Sequence, residues 1–188
     1  MNIYLKVLIT LSLLYLQSCS SSQVINCAYI PHETESNKYP ELTQYDNCAQ
    51  LDINKKITIN KAHLDQIWFN TNSLAQIRVH DGIYYLNTQG KMIKSYIFDN
   101  GADYFQEGLS RFVLNNKIGF INEKLEIVIQ PKYDFAYPFE NGASKVCSGC
   151  SLTKVGEHKE VRGGQWGLID KTGKILKKIS YKFDDLTK

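Results

Sequence analysis

The sequence feature that most constrains the fold is a short pattern that occurs three times after residue 82. Each copy alternates apolar and polar residues, breaks at a short polar stretch and resumes an apolar run, which predicts a β-hairpin. Asn87, Asn122 and Asp170 begin the predicted turns, because such side chains hydrogen-bond to their own backbone. The copies span residues 83–93, 118–128 and 166–176.

The turn residues differ in one copy. Gly90 and Gly173 supply the backbone freedom that a positive φ requires. Leu125 stands at the corresponding position of the middle copy. We therefore expect the middle turn to be of a different type, or strained.

A second pattern follows the first two hairpins, where residues 100–110 match residues 134–144. Ile83 and Ile118 are 35 positions apart, whereas Ile118 and Trp166 are 48 apart, which leaves an insertion of roughly a dozen residues. A unit this small cannot bury its apolar face alone, so the copies are expected to stack as an array.

These motifs resemble the bacterial WG repeat family, also called KWG repeats. The resemblance rests on Phe105-Gln106-Glu107-Gly108-Leu109, Ile129-Gln130-Pro131-Lys132-Tyr133-Asp134 and Trp166-Gly167-Leu168-Ile169-Asp170. The chain departs from the family pattern because isoleucine replaces the tryptophan at Ile83 and Ile118, and the last copy, aligned over residues 179–184, lacks the proline. The resemblance implies a mostly β fold, an array of antiparallel hairpins over residues 77–188. Such arrays serve as scaffolds or interaction surfaces, and the family supplies no catalytic residues.

Residues 39–76 are expected to form a short N-terminal cap that contains a helix. Lys55 to Ile59 predicts a short strand, and Asn60 is a suitable N-cap for a helix over residues 61–68. An end repeat must cover one open face and one strand edge, which is the role we assign to this segment.

The N-terminus has the pattern of a secretion signal over residues 1–18. Its apolar run, residues 7–16, is shorter than the about 20 residues needed to span a bilayer. Leu16-Gln17-Ser18-Cys19 resembles a bacterial lipoprotein signal, with Cys19 as the lipidated residue; an ordinary signal with an incidental cysteine is the alternative. Residues 19–38 then form a flexible tether. The expected location is the envelope of a Gram-negative-type bacterium, at the outer membrane facing the periplasm, because Ser20 resembles the sorting residue of enteric lipoproteins.

Four further cysteines remain for disulfides. An even number in an exported chain favours pairing, and we predict Cys27 with Cys48 and Cys147 with Cys150. Alternatives for the second pair are a metal site with His158, a redox-active Cys-x-x-Cys, or reduced thiols. Structural zinc needs four ligands, and no helix pattern follows Cys150 to lower a thiol pKa. We therefore expect no metal and no cofactor.

Charge and histidine spacing limit the classes of function. The formal net charge of +3 becomes +2 when Lys6 is removed with the signal, and the cations are scattered, which argues against nucleic-acid binding. The histidines show no metal-ligand spacing, and no catalytic constellation is identifiable. We therefore predict a non-enzymatic protein.

The predicted function is a binding or scaffold module for a protein or envelope component. The insertion, residues 147–164, is expected to be a displayed loop that carries His158. Tyr104, Tyr137 and Trp166 are candidates for an exposed aromatic face that binds a peptide or glycan; most aromatic residues are instead expected to pack between hairpins. The alternatives are an immunity protein against an envelope-targeting toxin, and a hydrolase or redox protein that uses the loop.

Overall fold

The computed structural model describes residues 22–186, which are mostly β-strand. The N-terminal elements are β1 (Gln23–Tyr29), β2 (Thr43–Leu51), β3 (Ile57–Ile59) and helix α1 (Lys61–Leu64). The central strands are β4 (Leu74–Val79), β5 (Gly82–Asn87), β6 (Met92–Lys94), β7 (Ile97–Phe98), β8 (Gly101–Ala102), β9 (Leu109–Leu114), β10 (Lys117–Asn122), β11 (Ile127–Tyr133) and β12 (Phe135–Ala136). The C-terminal elements are β13 (Ala143–Val155), β14 (His158–Asp170), β15 (Ile175–Tyr181) and a 3-10 helix (Phe183–Asp185).

Cys19 and the predicted signal lie outside the described residues. Within residues 22–186, no helix has the length and apolar character needed to cross a membrane.

Each repeat is a three-stranded antiparallel unit. Unit 1 is β4–β6, unit 2 is β9–β11 and unit 3 is β13–β15, and the middle strand pairs with both neighbours. Unit 1 belongs to a six-stranded sheet ordered β3-β2-β1-β4-β5-β6, and β12 extends the sheet of unit 3. The predicted mostly β array of antiparallel repeats is confirmed. Each unit has one strand more than a hairpin.

All three turns between the second and third strands share one geometry. The side-chain oxygen of the first turn residue accepts hydrogen bonds of 2.9–3.1 Å from the backbone N–H groups two and four positions later. The Leu125 N–H donates to Asn122 O at 2.9 Å, just as the Gly90 N–H donates to Asn87 O at 2.9 Å. Leu125 has a φ of 56°. The middle turn is therefore the strained alternative, not a different type.

The Leu125 side chain compensates for this strain. It is fully buried, and it packs in an apolar cluster with Leu74, Ile83 and Tyr85 of unit 1. A left-handed backbone costs a non-glycine residue roughly 1–2 kcal/mol, and a buried leucine side chain contributes more than that. Packing between units therefore selects a residue that the turn by itself disfavours.

The glycine that follows the tryptophan position has a packing reason in units 2 and 3. A Cβ on Gly119 would lie 2.5 Å from Ile129 O, and a Cβ on Gly167 would lie 2.6 Å from Lys177 O. The register of the third strand shifts beside both glycines, which brings its backbone against them. Tyr84 stands at the corresponding position of unit 1, where β5 and β6 pair in regular register.

Strand pairing corrects one alignment made from sequence. Trp166 pairs with Tyr181 in unit 3 as Ile118 pairs with Tyr133 in unit 2. The sequence alignment of residues 179–184 with unit 2 is therefore two positions out of register. The alignment followed the isoleucine and aromatic residues, whereas the third strands of units 2 and 3 pair with the same spacing and the same bulge.

The cap is mainly a β-sheet that joins unit 1 through the pair Ala28 and Arg78, between β1 and β4. The prediction of a flexible tether over residues 19–38 is wrong for β1. Ile25, Cys27 and Tyr29 of β1 are buried at alternate positions, and Tyr29 is fully buried. The cap thus begins at Gln23, and the predicted boundary between residues 76 and 77 falls inside β4.

The predicted helix of the cap is shorter than expected. Only Lys61–Leu64 is helical, with Asn60 as the N-cap residue. The Trp68 N–H donates to Ile30 O at 2.9 Å, which joins this part of the chain to the end of β1. Tertiary pairing therefore replaces the last turns of the predicted helix.

The insertion is a hairpin and not the loop that the sequence predicted. β13 and β14 each continue for 13 residues and pair as far as Val155 and His158. Gly156, with a φ of 61°, opens the connecting two-residue turn, as hairpin geometry favours. We call the part from Cys150 to Gly163 the ribbon.

A buried ion pair joins the connection between β8 and β9 to unit 2. The Arg111 Nε and Nη2 atoms donate to the Asp103 carboxylate at 2.9 and 2.6 Å, and Nη1 donates to Ala136 O at 2.9 Å. The guanidinium also lies 4.3 Å from the Tyr96 ring centroid. Both charged side chains are almost fully buried. Burial of the two charges is tolerated because each charged group has several hydrogen-bond partners.

Candidate binding site

The structure separates the four candidate binding residues that the sequence singled out. Trp166 is 2% exposed. It packs in an aromatic cluster, with its ring centroid 4.8 Å from Phe183 and 5.9 Å from Tyr137. Its Nε1 donates to Gly163 O at 3.1 Å. Trp166 is therefore a core residue, whereas Tyr137 at the edge of the same cluster is partly exposed.

His158 lies at the tip of the ribbon. Trp166 is eight positions further along β14, which corresponds to about 26 Å of extended strand. His158 therefore does not belong to the same site as Trp166 and Tyr137. Among residues 22–186, no group of three or more His, Cys, Asp or Glu side chains could hold a metal ion.

The cysteine pairs predicted from sequence lie at disulfide distance. Cys27 and Cys48 have Cα atoms 6.0 Å apart and join β1 to β2, and those of Cys147 and Cys150 are 6.2 Å apart at the base of the ribbon. A Cβ on Gly164 would lie 2.5 Å from the Cys147 sulfur, so the glycine leaves room for this pair. The positions support both predicted disulfides and give the second one a structural role.

The fourth candidate, Tyr104, lines a cavity of about 450 Å³ between the cap and unit 1. We call this cavity the junction cleft. Its volume lies within the range of about 300–1,000 Å³ that is typical of small-molecule sites. The cap side is formed by Ile30, Leu42, Trp68, Asn70 and Asn72, and the repeat side by Leu74, Ala75, Gln76, Arg78, Tyr85, Tyr104 and Phe105.

Tyr104 is held outward by its two neighbours. Asp103 is buried in the ion pair with Arg111, and the Phe105 ring lies 5.1 Å from the Tyr85 ring inside the unit. Because both neighbours are anchored inward, Tyr104 remains 57% exposed. The sequence identified this residue by its type, but not the cleft that it lines.

Trp68 is the aromatic residue of the cleft that sequence reasoning missed as a site. Ile67 beside it is fully buried, and the Trp68 backbone is fixed to Ile30, yet the Trp68 side chain is 45% exposed. The sequence predicts it to be the last residue of a helix over residues 61–68. No local signal shows that the chain leaves the helix at this point and presents the ring to unit 1.

Two polar side chains of the cleft, Asn70 and Gln76, are oriented by hydrogen bonds through their oxygen atoms. Asn70 Oδ1 accepts from the backbone N–H groups of Asn72 and Leu74, both at 3.0 Å. Gln76 Oε1 accepts from the Ala102 N–H at 3.1 Å. Within residues 22–186, the NH₂ groups of Asn70 and Gln76 have no acceptor, so they remain available as donors.

Tyr85 forms part of the wall of the cleft. Its hydroxyl donates to Asp103 O at 2.5 Å. Burial, together with the nearby Asp103 carboxylate, raises the pKa of Tyr85 to about 12. The hydroxyl is therefore neutral at ordinary pH, and this wall carries no phenolate charge.

The fold and the cleft define a class: a β protein built from three stacked antiparallel units, with a concave aromatic cleft at its capped end. The family model described as WG containing repeat matches the chain at residues 85–117, 118–149 and 166–187. Three segments of the chain are therefore similar to this repeat, at the places where the motifs predicted it. No curated protein and no solved structure matches the chain.

Proposed function

We propose that this protein is a non-enzymatic binding module of the bacterial envelope, anchored by a lipid on Cys19, and that the junction cleft is its ligand site. The observation that carries the proposal is the pair of exposed aromatic side chains, Trp68 and Tyr104, in one concave cavity. Large aromatic side chains contribute much of the energy of protein interfaces, and their exposure in a cleft is typical of recognition sites.

The chain that carries both aromatic side chains is held in place. Tyr104 is fixed through its buried neighbours Asp103 and Phe105, and Trp68 through its backbone bond to Ile30. A site that is ordered before binding loses little conformational freedom when the ligand arrives. This supports recognition by a preformed surface, which suits a scaffold of stacked repeats.

The ribbon is a second candidate surface, for a protein partner. It projects Leu152 and Val155 with 44% and 39% of their surface exposed. Exposed apolar side chains on a projecting hairpin suit contact with another protein. This surface favours the alternative role as an immunity protein that covers a toxin.

Site-specific photo-crosslinking in the native host distinguishes the two surfaces. We would place a benzophenone amino acid at Tyr104 in the cleft, at His158 on the ribbon tip, and at Ile53 as an exposed control in the β2–β3 connection. Our proposal predicts an adduct from position 104 and none from positions 158 and 53. An adduct from position 158 alone would contradict it and would support the immunity role.

The anchor has a separate test. Cys19→Ala should abolish incorporation of a labelled fatty acid and release the protein from the membrane fraction, because acylation of this cysteine would supply the membrane affinity. An Ile53→Ala variant serves as the control, since Ile53 is exposed in the β2–β3 connection and forms no disulfide. Unchanged labelling of Cys19→Ala would refute lipidation at this residue.

A further inference from the structure

We infer that the ligand of the junction cleft is a carbohydrate, with a sugar ring packed on Trp68 and Tyr104 and its oxygen atoms bound by the amides of Asn70 and Gln76. This inference rests on the proposed function and deepens it, because it names the ligand class of the same site. It follows from three properties of the cleft: the two aromatic rings, the free side-chain donors and the occupied backbone groups at the rim.

The aromatic rings fit the faces of a pyranose. A sugar ring presents C–H groups on its face, and these pack on the electron-rich face of an aromatic ring. Trp68 approaches the cleft from the cap, and Tyr104 approaches it from the connection between β8 and β9. Phe98 supports Tyr104, because the two ring centroids lie 6.1 Å apart in an edge-to-face arrangement.

The polar side chains fit the edge of a sugar, which carries hydroxyl and carbonyl oxygens. Asn70 and Gln76 use their oxygens inside the protein and leave their NH₂ groups free. Arg78 donates through Nη2 to Asn100 O and retains other N–H groups. No Asp or Glu is among the residues that line the cleft. The cleft is therefore rich in donors and is matched to a ligand rich in acceptors.

The backbone around the cleft argues against an added peptide strand. Strand addition needs unpaired N–H and C=O groups on a sheet edge. Here Ile30 O accepts from the Trp68 N–H, and Leu74 O accepts from the Asn70 N–H, both at 2.9 Å. The Leu74 N–H is taken by the Asn70 side chain. At these positions recognition therefore uses side chains, as it does in carbohydrate sites.

The chain contains two tryptophans, which gives a direct assay. Trp68 is exposed in the cleft and Trp166 is buried elsewhere, so emission from Trp68 should change when a sugar packs on it while emission from Trp166 stays constant. We would titrate the purified lipid-free protein, residues 22–188, with both disulfides formed. The probes are tetrasaccharides of N-acetylglucosamine, of glucose and of galacturonic acid, and isothermal calorimetry measures the affinity of the same mixtures.

We expect saturable binding of at least one tetrasaccharide, and preference for the acidic one would indicate that Arg78 takes part. Trp68→Phe should remove the fluorescence change. Tyr104→Ala should weaken calorimetric binding about tenfold, and Gln76→Ala about three- to tenfold, as expected for loss of one hydrogen bond. Ile53→Ala, on a connection outside the cleft, should bind like the wild type.

Failure of all three tetrasaccharides to bind at millimolar concentration would overturn the carbohydrate assignment, and so would binding that Tyr104→Ala and Gln76→Ala leave unchanged. The crosslinking experiment separates this failure from that of the binding role. A polypeptide adduct at position 104 together with failed titrations refutes the sugar alone. No adduct at position 104 together with failed titrations refutes both.

Discussion

Replacing Leu125 by glycine tests which contributes more to stability: the preference of the turn for glycine, or the packing of the leucine side chain between units. Glycine is the residue found at the same position of the other two turns, and it would relieve a left-handed φ of 56°. If turn chemistry dominated, Leu125→Gly would therefore stabilise the protein. The structure predicts the opposite, because the leucine side chain is fully buried against unit 1.

The expected magnitude follows from three effects. Truncating a buried leucine costs about 2–5 kcal/mol, and the backbone freedom of glycine costs about 0.5–1 kcal/mol more. Relief of the left-handed conformation returns roughly 1–2 kcal/mol. The net expectation is a loss of about 0.5–5 kcal/mol, centred near 3 kcal/mol, in the free energy of unfolding. The central value corresponds to a fall in Tm of about 6–12 °C for a domain of this size.

The measurement is urea unfolding followed by tryptophan fluorescence, with both disulfides intact. Lys55→Gly is the matched control, because Lys55 also has a positive φ, 62°, but is exposed in the β2–β3 turn. It should be neutral or stabilise the protein by up to about 1 kcal/mol. A Leu125→Gly variant as stable as Lys55→Gly would refute the reasoning that packing between units selects the leucine.

Three further predictions concern stability. Gly167→Ala should lower the free energy of unfolding by about 2–4 kcal/mol, because the new Cβ would meet the backbone of the third strand. Gly101→Ala, whose Cβ would make only ordinary contacts, should change it by less than about 1 kcal/mol. Equal effects would contradict the explanation that the close approach of the third strand requires glycine. Arg111→Met should lower the free energy of unfolding by about 3–5 kcal/mol, because it leaves the buried Asp103 carboxylate without its cation. Adding Asp103→Leu should recover part of this loss. No recovery would show that the unpaired charge is not the cause. Hydrogen bonds from the Lys117 ammonium and the Gly149 N–H hold the pKa of Asp134 below its ordinary 3.8, so the ionised carboxylate stabilises the fold above that pH and this effect disappears as the pH falls through the folded-state pKa. The difference in stability between the wild type and Asp134→Asn, measured by urea unfolding, should therefore shrink on acidification. A difference that stays constant with pH would contradict this.

The sequence determined the repeat and its turns. Alternating apolar residues specify strands, and Asn or Asp at the first turn position supplies the same side-chain acceptor in all three units, so both features can be read locally. The sequence also suggested the cysteine pairs, because spacing alone made Cys147 and Cys150 neighbours. These features depend on contacts within a few residues.

Tertiary structure decided what distant segments do together. Residues 23–29 have strand character, but only pairing with β2 and β4 makes them part of the cap instead of a tether. The insertion became a ribbon because its two halves pair across Gly156. The two-position error in the register of unit 3 arose because the alignment followed residue types, whereas the third strands of units 2 and 3 pair with the same spacing and the same bulge.

The junction cleft is the clearest example of a feature that combines residues predicted from sequence with an arrangement that only the tertiary structure specifies. Tyr104 was a candidate from sequence by residue type, but Trp68 is 36 positions away and was assigned to a helix face. The two rings share a cavity because the cap ends its helix early and places its chain against unit 1. Turn hydrogen bonds and the alternation of apolar and polar residues involve neighbours in the chain, so both can be predicted from the sequence. A cavity between the cap and a repeat depends on how the two pack, and only the folded chain specifies that.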